Sequence, residues 1–101
     1  MGLFSSLFGG GLKAALEEGS AIIDIRSAAE YDSGHVPGAH NIPVDRIAIS
    51  IPRIKGFGKV IICGAGDSRN SQATDLLRRN GITSFIDGGS WDRVYRSWKK
   101  T

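Results

Sequence analysis

The 101-residue chain carries a single cysteine, Cys63, set between the apolar run Lys59-Val60-Ile61-Ile62 and the small-residue stretch Gly64-Ala65-Gly66-Asp67-Ser68, which leads to Arg69. A strand running into a cysteine, a glycine-bearing loop and then a helix suits anion and thiolate chemistry. Glycines let successive N–H groups turn inward as an anion-binding nest. A helix starting just beyond them adds its positive end, and Arg69 offers a guanidinium able to clamp an oxyanion through two hydrogen bonds. Together these features are expected to favour the Cys63 thiolate, the nucleophilic form of the side chain. The competing reading is that Cys63 is a small buried hydrophobe at a strand end, with the glycines serving an ordinary tight turn.

A second group of polar residues lies upstream. Asp24 ends the apolar run Ala21-Ile22-Ile23 and is expected to accept backbone hydrogen bonds. Arg26 and Glu30 stand four apart, the spacing of a pair across one helical turn. Ser27 and Glu30 have the spacing of a capping box. His35 and His40 flank a turn with Pro37 and Gly38. Two such histidines and one distant cysteine do not make a tetrahedral metal site, so no metal and no cofactor is expected. His35 is read as ordering its loop, with proton donation as the alternative. Ser68 and Ser71 stand at a helix start, where serine ordinarily caps, although either hydroxyl could donate to a bound anion.

The elements that must position these residues follow from pattern. The length lies below the ~150 residues usual for one domain, so a single domain is expected. Helical spacing spans about Leu12 to Glu18, and Ala21 to Ile25 reads as a buried strand. A short helix starts at Ser27. Asn41 to Val44 reads as a brief strand, followed by a helix over about Asp45 to Ile51 that Pro52 limits. Lys59 to Ile62 is the clearest strand. Arg69 to Asn80 is the clearest helix, with Ala73, Leu76 and Leu77 on one face and Gly81 as its stop. Thr83 to Ile86 reads as a strand, Gly88-Gly89 as a turn, and Ser90 to Lys99 as a last helix burying Trp91, Val94 and Trp98. Strands alternating with helices predict an α/β fold, a central parallel sheet with helices on both faces.

Composition bounds the partners. Thirteen Lys and Arg against ten Asp and Glu give a formal charge of +3. That favours small anions and is too weak and dispersed for nucleic acid. One cysteine excludes an internal disulfide framework. No apolar run approaches the ~18 residues of a transmembrane segment, and Met1 to Gly11 lacks the regions of a secretory signal. A cytoplasmic protein with a reduced thiol is therefore expected. Met1-Gly2 with Ser6 fits the loose myristoylation pattern. Leu3, Phe4, Leu7 and Phe8 recur at helical spacing, so residues 1–11 read as an apolar segment with a docking helix, ahead of a domain over 12–101. Arg78-Arg79 and Lys99-Lys100 read as solvated helix faces.

The stretch from Asp24 to Pro43, with Asp24-Ile25-Arg26 and Gly34-His35-Val36-Pro37-Gly38-Ala39-His40-Asn41-Ile42-Pro43, resembles the N-terminal signature of the rhodanese-like domains. The Cys63 loop resembles their active-site loop, and Ile86-Asp87-Gly88-Gly89-Ser90-Trp91 their closing motif. The resemblance implies a small α/β domain whose cysteine takes a sulfane sulfur from a donor such as thiosulfate and passes it to a thiophilic acceptor: cyanide, a small thiol or a protein thiol. It makes Cys63 the sulfur carrier and the Gly64 to Arg69 segment the substrate cradle, with Asp24, Arg26, Glu30 and His35 supporting the site. The pattern departs at one point. The family commonly has four residues between Cys and Arg, and here there are five, so without a gap Ser68 stands where the Arg usually does. A longer loop is typical of relatives acting on phosphate or arsenate, which keeps an oxyanion enzyme as the alternative. Asp67 weighs against it, because a carboxylate repels a dianion. A non-catalytic binding module on the same fold is the third reading.

Overall fold

Four short runs pair side by side into one parallel sheet. In the computed structural model, which describes residues 11–101, they are β1 (Ala21–Asp24), β2 (His40–Asn41), β3 (Val60–Gly64) and β4 (Phe85–Ser90), in the order β2-β1-β3-β4. The docking helix expected over Leu3 to Phe8 lies outside the described residues. Among the described residues five α-helices connect and flank the strands: α1 (Gly11–Glu17), α2 (Ala28–Asp32), α3 (Ile51–Phe57), α4 (Ser68–Arg79) and α5 (Trp91–Trp98).

The central strand β3 is buried throughout, and its side chains alternate between two cores. Val60 and Ile62 join Ile23, Ile25, Ile54 and Leu77, under α3 and α4. Ile61 and Cys63 join Ala15, Ile22, Val36 and Val94, under α1 and α5. Helices therefore cover both faces, as the strand–helix alternation predicts. Among the described residues no helix is long and apolar enough to cross a membrane.

Four local expectations differ. The strand expected over Asn41 to Val44 is only the two-residue β2, and Val44 opens a 3-10 turn. Pro52 does not limit a helix over Asp45 to Ile51. It stands in the first turn of α3, and the residues before it form the 3-10 turns Val44–Arg46 and Ala48–Ser50. A first-turn proline loses no intrahelical hydrogen bond and has φ preset for a helix. β4 starts two residues later than Thr83, because Gly81 and Ile82 still close α4 by donating to Arg78 O and Leu77 O at 3.0 and 2.9 Å. It also runs on through Gly88-Gly89. The register with β3 shifts between Ile62 and Gly64, a bulge-like irregularity that brings Ser90 opposite Gly64.

Gly88 is required by space. A Cβ there would lie 2.5 Å from Val94 Cγ2 and 3.2 Å from Ile62 O. Neither the central backbone nor fully buried Val94 can give way. Gly88→Ala is expected to lower stability by about 1–3 kcal/mol through overpacking, read as a fall in the urea midpoint.

Candidate active site

Cys63 sits near the carboxyl end of β3, opposite Asp24 of β1, and its carbonyl accepts Ile25 N–H at 2.9 Å. In open α/β sheets, ligands gather outside the strands' carboxyl ends. The connection from β3 to α4 is three residues, Ala65 to Asp67, and Gly66 takes φ +74°. Ala65 pairs with Ser90 in an isolated antiparallel bridge, and the amides of Asp67 and Ser68, at the start of α4, precede the helix's own hydrogen-bond ladder. Asp67 caps α4, its Oδ1 accepting Arg69 N–H at 3.0 Å. Gly64 belongs to β3 rather than the loop, and its absent side chain makes room. A Cβ there would lie 2.8 Å from Asn70 Oδ1 and 3.0 Å from Ile25 Cγ1.

The guanidinium of Arg69, expected to clamp an oxyanion, is held by two carboxylates of the protein. Nη1 and Nη2 donate to Glu30 at 2.7 and 3.1 Å. Nε and Nη2 donate to Asp67 at 3.2 and 2.9 Å. The capping box places Glu30 for this, since its Oε1 also accepts Ser27 N–H at 3.0 Å. Arg69 is thus a strut tying α2 to the loop. Arg69 and Ser27 together hold the Glu30 carboxyl down at about 2, from an ordinary 4.5. A carboxylate held low stabilises the fold fully above its unfolded pKa, so this contribution is lost as pH falls from about 4.5 through 2. In Arg69→Ala, carbon-detected NMR titration should find the Glu30 midpoint raised by roughly one unit or more.

Arg26 and Glu30 do not pair through their side chains. Asp24 is fully buried and needs a cation. Arg26 supplies it, with Nη2 at 2.7 Å and Nε at 3.0 Å from the carboxylate. Its remaining donors reach Glu30 O at 3.2 Å and Gly34 O at 2.7 Å, and the guanidinium lies 4.9 Å from the Trp91 ring centroid. His35 stacks on Tyr31 at 3.7 Å, with Nδ1 2.7 Å from Tyr31 O. Tyr31 Oη donates to Ala39 O at 2.6 Å, so both rings order the α2–β2 turn. Ser68 opens α4, and Ser71 Oγ donates to Ser68 O at 2.9 Å.

The expectation of an ionised sulfur fails in this conformation. Cys63 is fully buried in the apolar cluster with Val36 and Val94. Burial, then the negative charge of Asp24, pushes its thiol up to about 12, with Arg26 opposing and Asp87 adding to the rise. The loop's own cation is neutralised by Glu30 and Asp67. In this conformation the neutral thiol is therefore favoured over the thiolate at neutral pH.

Sequence reading missed one fastener. Asn70, in the first turn of α4, is buried and donates through Nδ2 to Asp87 Oδ1 and Gly89 O, both at 3.0 Å. Asp87 Oδ1 also accepts Gly89 N–H at 3.0 Å. A polar residue on the inward face of α4, next to Ala73, was the signal for it.

A parallel sheet wrapped on both faces, with one cysteine leading into a three-residue loop, defines a rhodanese-like α/β domain. The profile of the Rhodanese-like domain family matches residues 10–97, and the chain belongs to that family. It is 31% identical over 90 residues to the thiosulfate sulfurtransferase GlpE of Pseudomonas fluorescens, covering 88% of this chain and 79% of that one. It is 34% identical over 74 residues to a tRNA sulfurtransferase of Thermoplasma acidophilum; the match takes in 73% of this chain but spans only 15% of that protein's length. The solved human single-domain sulfurtransferase TSTD1 superposes with a TM-score of 0.65 at 25% identity, covering 91% of this chain and 92% of that one.

Proposed function

We propose that this domain is a sulfurtransferase that carries a sulfane sulfur as a Cys63 persulfide. The Cys63 thiolate attacks the outer sulfur of a donor such as thiosulfate. A sulfur–sulfur bond forms, the donor's own sulfur–sulfur bond breaks, and sulfite leaves with the electron pair. A thiophilic acceptor, cyanide or a thiol, then attacks the outer sulfur and releases the Cys63 thiolate. With one cysteine in the chain, no internal thiol resolves the persulfide, so the acceptor comes from outside. A reducing compartment suits this chemistry, because the thiol must stay free between turnovers.

The observation that carries the reading is the placement of Cys63. It stands near the carboxyl end of the central strand, just before a short loop and the start of α4, where the Asp67 and Ser68 amides precede the helix's own hydrogen-bond ladder. Those amides suit a donor anion or an anionic persulfide. The relatives named as sulfurtransferases support the same reading. The oxyanion alternative loses support, because Arg69, the cation expected to clamp the oxyanion, is already bound by Glu30 and Asp67.

Intact mass spectrometry after thiosulfate treatment tests it. The expected result is a gain of one sulfur atom on Cys63, removed by cyanide. An unmodified protein at saturating thiosulfate would sink the proposal.

A further inference from the structure

On the face away from α3 and α4, helices α1 and α5 enclose a groove of about 430 Å³ lined by Lys13, Arg93, Arg96, Lys99 and Lys100 together with Leu12 and Ser97. No carboxylate lines it among the described residues. Asp92 offsets one of the five cations by pairing with Arg96 at 2.8 Å.

Helix stability does not explain this gathering. Cations at the end of α5 complement the helix dipole, which accounts for Arg96 and its neighbours. Lys13 and Arg93, however, stand in the first turns of α1 and α5, where a positive charge is disfavoured. Two helices thus each place a cation at an unfavourable end, and both line the same groove. Arg93 Nη1 also donates to Gly88 O at 2.8 Å, which anchors this cation to β4.

We propose that this groove docks a carboxylate-rich segment of a partner protein. From Arg93 to Lys100 is two helical turns, about 10 Å, the length of three or four extended residues. A nucleic-acid strand that binds through its phosphates needs a longer cationic track and commonly aromatic stacking, and the aromatic side chains of α5 pack against the core instead. Leu12 gives the floor one apolar contact. The inference goes beyond sulfur transfer and does not rest on it.

The test is fluorescence anisotropy on the full chain with a labelled hexapeptide of four glutamates and two leucines. The expected result is saturable binding that weakens with salt. In Lys13→Glu with Lys100→Glu it should weaken at least about tenfold, and in the control Lys55→Glu with Lys59→Glu less than about twofold. Lys13, Lys100 and Lys55 are exposed and Lys59 is half-buried beside Glu18 at 3.6 Å, and circular dichroism checks that each variant folds. No saturation by about 1 mM, equal binding of the glutamine peptide, an equal loss in the control, or tighter binding of hexathymidylate would each overturn the proposal.

Discussion

Replacing Cys63 by alanine is expected to lower thiosulfate-to-cyanide sulfur transfer on the order of 10³-fold or more, because no other side chain in the molecule can form the persulfide. Alanine is the informative choice. The sulfur is fully buried among apolar side chains, so a serine hydroxyl there would cost about 1–3 kcal/mol if left unpaired. Alanine leaves a void near one atom in size, worth about 1 kcal/mol. Loss of activity with a melting temperature lowered by no more than about 4–8 °C then reports chemistry, not unfolding. The same site predicts a pH profile. With its thiol raised to about 12, the thiolate fraction of Cys63 grows about tenfold per pH unit across the neutral range. Single-turnover sulfur uptake should climb steeply from pH 7 to 9. A flat profile would show that an opened loop, with a lower thiol pKa, is the attacking form. Activity in Cys63→Ala equal to that of the unsubstituted protein would end the persulfide reading.

The largest effect on stability is expected from Arg26→Leu, a loss of about 3–5 kcal/mol. The substitution leaves the fully buried Asp24 carboxylate without its cation and removes the donors to Glu30 O and Gly34 O. For a domain of this size each kcal/mol is worth roughly 4–8 °C, so melting should fall by at least about 12 °C. Adding Asp24→Asn to Arg26→Leu removes the stranded charge and should recover part of the loss, since the two effects are coupled. A single substitution that costs under about 1 kcal/mol would show that solvent reaches Asp24. Because Arg26 also opposes the rise in the Cys63 pKa, the surviving Arg26→Leu protein should take up sulfur more slowly at a given pH.

Much of the fold was legible because its signals are local. Val60 to Ile62 is an unbroken β-branched run, the capping box at Ser27 and Glu30 closes as spaced, and Gly81 ends α4 with φ +78°. Pro52 shows the limit of local rules. A proline forbids a helix interior and favours a first turn equally well, and only the packing of Ile51 and Ile54 into the core selects the second. The length of β4 was hidden for a similar reason. Gly88-Gly89 has the composition of a turn, yet the flanking pairs of Asp87 with Ile62 and Ser90 with Gly64, and the close approach of Gly88 to Val94, hold it as an irregularity within the strand.

The sequence by itself determined the layered α/β architecture, the place of Cys63 at the end of its strand and the short loop beyond it, all of which depend on residues near in the chain. Tertiary structure decided the charge state of that site. Glu30 and Arg69 are 39 residues apart, and no spacing rule predicts that they meet. Their pairing removes the cation that a reading of the loop assigns to an anion. The apolar side chains around Cys63 come from distant elements, and their burial of the sulfur sets its proton affinity. Electrostatic energies depend on distance and solvent exposure, which the folded chain fixes only when all its elements have packed.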